Sequence, residues 1–181
     1  MMNPSSLLAL CASEAEATVG RLRAEFDPTA REGLGAHITI LFPFVPPAAL
    51  SSDTVLTLEQ LFSKHRQFNY RLYNVGRFPG TAYLVPEPAA PFVELTRTVV
   101  RHFPEYPPYE GLFSQIIPHL TVADCGAAVA ENTERRLREL LITRGPIHAT
   151  CSEVTLLQNV DGRWAKRHVF KLAHADLENI L

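Results

Sequence analysis

Apolar positions along the chain follow two rhythms, one helical and one alternating, and the rhythms change in a repeating order. Leu7 to Ala12 form a short apolar run that predicts a strand. Behind it, Ala15, Val19, Leu22 and Phe26 fall at helical spacing, and Ser13 with Glu16 has the form of a capping box. Asp27-Pro28 should end that helix. Ala36 to Phe42 (AHITILF) then read as a strand closed by Pro43, Pro46 and Pro47. A second helix is expected from about Asp53 to His65, with Val55, Leu58 and Phe62 on one face. Phe68–Val75 and Thr81–Val85 predict a hairpin turned around Phe78-Pro79-Gly80.

The order then recurs. A helix carrying Phe92, Leu95 and Val99 precedes a proline-rich loop with Pro104, Pro107 and Pro108. Ile116 to Ala123 (IIPHLTVA) read as a strand, and a charged helix should follow from about Val129 to Leu141. Ile147–Val160 and Arg163–Ala173 predict a long hairpin turned by Asp161-Gly162. The shared grammar is helix, strand with His-x-Thr, helix, hairpin. It describes a single α+β domain over residues 1–181, built from two pseudo-symmetric halves at about 1–86 and 87–181. A solenoid would need at least three repeats.

The chemistry concentrates in His37-Ile38-Thr39-Ile40 and His119-Leu120-Thr121-Val122. Alternate residues of a strand share a face, so His and Thr point one way while the aliphatics anchor the strand in a core. Two such strands across a cleft supply two imidazoles and two hydroxyls. Displacement at phosphorus needs a base for the nucleophile and an acid for the leaving oxygen, and imidazole can serve as either near neutral pH. Threonine hydroxyls can hold the non-bridging oxygens. A third copy, His148-Ala149-Thr150, lies where the first half has Phe68-Asn69-Tyr70, and is set aside as structural.

HITILFPF and PHLTV resemble the paired signatures of the two-histidine (2H) phosphoesterase superfamily, in its 2′-5′ RNA ligase-like (LigT-like) branch. The order of elements agrees across nearly the whole chain. The resemblance implies a bilobal pseudo-twofold fold, with antiparallel sheets lining a central cleft and helices outside. It implies His37 and His119 as the acid–base pair, Thr39 and Thr121 as phosphate binders, and Phe42 as a nucleotide-contacting aromatic. Many ligase-like relatives continue the motifs into Phe-Leu-Gly and Ala-Arg, whereas here Pro43-Phe44 and Ala123-Asp124 follow. The missing arginine weighs against long RNA as substrate.

Composition narrows the partners. With 46% hydrophobic and 20% charged residues the chain reads as globular, and its net charge of −2 lacks the basic excess of a duplex-binding surface. The 3 cysteines contain no CxxC pair, which argues against a disulfide framework or thiolate zinc site. The first residues lack a basic leader region, and no apolar run is long enough to span a bilayer. The expectation is a cytoplasmic, monomeric, metal- and cofactor-independent cyclic phosphodiesterase. Its partner would be a nucleotide or RNA end carrying a 2′,3′-cyclic phosphate, and reversible 2′-5′ ligation is open to the same groups. The alternatives are a non-catalytic nucleotide binder that retains the cleft, and a metal-dependent hydrolase. Tyr83 is a candidate substrate contact or a half-buried strand residue. Arg77 and the Trp164, Lys166, Arg167 cluster read as solvated surface, and His65, His102, His168 and His174 as structural.

Overall fold

The computed structural model describes residues 5–174. Its strands are β1 (Ser5–Cys11), β2 (His37–Leu41), β3 (Phe68–Phe78), β4 (Thr81–Glu87), β5 (Leu120–Asp124), β6 (Ile147–Cys151), β7 (Glu153–Val160) and β8 (Arg163–Lys171). The helices are α1 (Glu16–Phe26), the short α2 (Pro28–Arg31), α3 (Ser52–Phe62), α4 (Ala90–His102) and α5 (Ala127–Arg144). Two four-stranded antiparallel sheets run β2-β1-β7-β8 and β5-β4-β3-β6.

Each sheet takes strands from both sequence halves. The hairpin β3–β4 joins the second motif strand, β5, while β7–β8 joins β1 and the first motif strand, β2. Both motif strands are therefore edge strands, and the two edges pack beside each other at the centre of the molecule. The helices cross over as well: α1 packs on β5 and α4 packs on β2. One continuous core runs under both sheets, joining Leu8, Ile38 and Ile40 to Leu72, Leu84 and Val122. Phe92 of α4 is fully buried there, with its ring edge-on to Phe68 at 5.0 Å and to Tyr70 at 5.2 Å.

Three local expectations are corrected. Ser13 and Glu16 form no capping box: α1 begins behind Ala15 without a side-chain cap, and the Glu16 carboxylate instead accepts from the Ala36 N–H. The second motif strand starts at Leu120, not Ile116. Pro118 has no N–H for a ladder, and the Ile117 carbonyl is taken by a histidine side chain. The stretch Ile147–Val160 is not one hairpin arm. It breaks at Ser152, where the chain leaves β3, with Cys151 opposite Phe68, and enters the other sheet, with Glu153 opposite Lys171.

Candidate active site

β2 alternates as its pattern requires. Ile38 and Ile40 are buried in the core, while His37 and Thr39 are half-buried on the opposite face. In β5, Leu120 and Val122 are buried and Thr121 faces out, with His119 just ahead of the strand.

The two histidines are held alike. His37 Nδ1 donates to the Gly35 carbonyl at 2.9 Å, and His119 Nδ1 donates to the Ile117 carbonyl at 2.7 Å. A carbonyl can only accept, so the neutral ring carries its proton on Nδ1 and presents a bare Nε2. Among the described residues neither Nε2 has a hydrogen-bonding partner.

Burial disfavours the charged form of both rings. For His37 desolvation dominates; the Gly35 bond opposes it, and the Arg23 charge adds to it, leaving the pKa at about 4. His119 contributes to that depression in turn, which places the two rings within electrostatic reach of each other. The His119 pKa is lowered by burial against the opposing Ile117 bond.

Tyr83 of β4 is buried opposite Thr121, tilted against His119 at 5.1 Å and against Phe78 at 4.4 Å. Phe78 also meets His119 edge-on at 5.3 Å. Phe42 is half-buried, packs edge-on to Trp164 at 6.3 Å, and lines a cavity beside Thr39 with Tyr109, Phe113 and Ile117.

Tyr109 and Phe113 belong to the proline-rich loop, from which sequence reasoning drew no site residue. The Tyr109 N–H donates to the Phe42 carbonyl at 2.7 Å. Tyr109 and Glu110 have φ of 51° and 56°, the left-handed region that non-glycine residues rarely occupy. Such backbone is held only where its surroundings fix it, here by the bond to Phe42. Phe113 remains largely exposed at the cavity rim.

The remaining candidates lie elsewhere. His148 is exposed on β6, at the opposite edge of its sheet from β5, and Thr150 bonds Asn69 of the neighbouring β3. Arg77 is paired with Glu134 of α5 at 3.0 Å. Trp164 donates its indole N–H to Glu32, while Lys166 and Arg167 are exposed. His168 bonds Glu59 of α3, His102 bonds the Thr98 carbonyl, and Asp124 accepts from Thr81. Among the described residues no three His, Cys, Asp or Glu side chains are grouped to hold a metal ion. No described helix is long and apolar enough to cross a membrane.

Residues 11–163 match the family model of the 2′-5′ RNA ligase superfamily. The chain belongs to that superfamily. Membership supports an activity of the 2H phosphoesterase or ligase type. The fold is that of solved relatives. TT0787 of Thermus thermophilus superposes with a TM-score of 0.64 at 16% identity, over 95% of this chain and 100% of that one. E. coli LigT in its apo form gives 0.60 at 18% identity, over 95% and 99%. LigT complexed with 3′-AMP gives 0.58 at 16% identity, over the same shares. No curated protein sequence matches the chain.

Proposed function

We propose that the chain is a metal-independent phosphoesterase that opens a 2′,3′-cyclic phosphate on a nucleotide or RNA end. The observation that carries this reading is the matched pair of imidazoles. Each is fixed through Nδ1 to the carbonyl two residues upstream, each offers a free Nε2, and each is followed two residues later by a threonine facing the same way. Two groups that can each hold or release a proton supply both transfers the reaction needs.

His37 is the base. Its depressed pKa keeps Nε2 unprotonated, so it takes a proton from water as the water oxygen bonds to phosphorus. His119 is the acid, charged when the substrate's anionic phosphate lies against it. It passes the Nε2 proton to the sugar oxygen as the P–O bond of the ring breaks, leaving a phosphomonoester and a free hydroxyl. Thr39 and Thr121 donate to the non-bridging oxygens, whose charge must be stabilised in the transition state. With a 5′-hydroxyl in place of water as the nucleophile, the same ring opening joins two ends: His37 takes the hydroxyl proton as its oxygen bonds to phosphorus, and His119 protonates the departing sugar oxygen.

Phe42, Tyr109 and Phe113, around the small cavity beside Thr39, offer aromatic faces for a base. Tyr83 shapes the wall behind His119. The LigT complex with 3′-AMP supports the choice of ligand, since a 3′-phosphomononucleotide has the form of a ring-opening product. The test is incubation with each 2′,3′-cyclic mononucleotide in EDTA, with products separated by chromatography. A single 2′- or 3′-phosphate product is expected and would identify the broken bond. Turnover that disappears in EDTA and returns with added metal would overturn the metal-free reading.

A further inference from the structure

Arg23 is the largest charged side chain in the core, at 1% exposure, and in the reaction described above only its charge bears on His37; its hydrogen bonds have no part there. Its Nη2 donates to Asp27 at 2.7 Å and to the Leu34 carbonyl at 3.1 Å. Its Nε is shared between Asp27 and the Thr121 carbonyl, each at 3.1 Å. Burying an ion pair costs desolvation that well-packed apolar residues of the same volume avoid, so stability alone does not call for one here. The bonds it makes suggest another use. Leu34 leads into Gly35, whose carbonyl holds the His37 ring, and into Ala36, whose N–H is held by Glu16 of the same helix. Thr121 stands in the other motif. One planar guanidinium therefore grips the approach to the first motif and the body of the second.

The other half carries a counterpart. The Thr96 hydroxyl of α4 donates to the Ile40 carbonyl of β2 at 2.8 Å. Each motif strand is a sheet edge with unpaired carbonyls, and each is pinned there by a buried side chain from the helix of the opposite half.

We propose that Arg23, seated on Asp27, is a positioning residue: it sets the spacing and aim of the His37 and His119 motifs across the cleft. The inference rests on the two-histidine reading. The substitution Arg23→Lys separates this role from mere charge balance. The ammonium it introduces could still neutralise Asp27, but as a point charge it cannot fork to Asp27 and both carbonyls. Small misplacements of reacting groups are costly, on the order of 10²-fold per ångström.

The experiment compares wild type, Arg23→Lys and the charge-free pair Arg23→Met/Asp27→Leu, which remains informative if the lysine variant does not fold. Two readouts are taken on folded protein: kcat and KM on a 2′,3′-cyclic nucleotide, and the imidazole ¹⁵N shifts of His37 and His119. The expected result is kcat down about tenfold or more with KM within about threefold, and loss of the single Nδ1–H form at His37. Wild-type kcat and unchanged His37 shifts in either folded variant would overturn the proposal. No turnover by wild type would instead overturn the two-histidine reading, and the ¹⁵N shifts would still decide the role of Arg23.

Discussion

Tyr83 and His119 lie with ring centroids 5.1 Å apart and planes tilted by 54°, so the second histidine is backed by an aromatic wall. Gly76 of β3 makes that wall possible. It sits opposite Tyr83 in the register, and a methyl group there would overlap the Tyr83 ring. The prediction separates ring from hydroxyl. Tyr83→Phe should keep kcat within about threefold, while Tyr83→Ala and Gly76→Ala should each lower it about tenfold, roughly 1.4 kcal/mol in the barrier. Steady-state kinetics on a cyclic nucleotide checks this. A larger loss in Tyr83→Phe than in Tyr83→Ala would assign the role to the hydroxyl instead.

The pH profile should lie on the acid side. The rate kcat/KM requires His37 neutral and His119 protonated in the free enzyme. His37, at about 4, becomes neutral as pH rises through that value. His119, held below its usual 6.5, loses its proton as pH rises through its own lowered value. The profile should therefore be bell-shaped with its maximum below pH 6.5, and His37→Ala should abolish the acid limb. A rate that climbs steadily to pH 8 would remove the two histidines from the chemistry, whichever of them is the base.

The threonines should act on kcat. Thr39→Val and Thr121→Val keep shape but delete the hydroxyl. By analogy with a lost oxyanion donor, each should cost on the order of 10²-fold in kcat. A change confined to KM would show that the hydroxyls bind ground state and transition state alike.

Stability is set elsewhere. Phe92→Ala removes a ring packed against Phe68 and Tyr70 and should cost about 3–5 kcal/mol, read as a shift in urea midpoint. It should leave the pH profile of the surviving folded enzyme in place.

Much of this was legible in the sequence because it is local. The alternation in HITIL and HLTV identified the faces of both motifs, and the Asp161-Gly162 turn identified the last hairpin. What escaped was non-local. No periodicity tells β3–β4 to leave its own motif strand and pair with β5, because sheet partners are chosen by the tertiary core. Arg23 of α1 and Asp27 just behind that helix stand four apart and read from sequence like an exposed helix pair, yet both are buried. Tyr109 lies in a loop with neither rhythm, and only the bond to Phe42 reveals its place. The break at Ser152 was hidden because no Gly or Pro marks the join between β6 and β7, which serve different sheets.

The central claim is that His37 and His119 perform the two proton transfers. The most direct measurement is turnover of a 2′,3′-cyclic nucleotide in EDTA by wild type, His37→Ala, His119→Ala and the double variant, each confirmed as folded. The account predicts a loss of at least about 10²-fold for either single change and little further loss in the double, since the pair acts as a unit. Activity that survives in the folded double variant would contradict it.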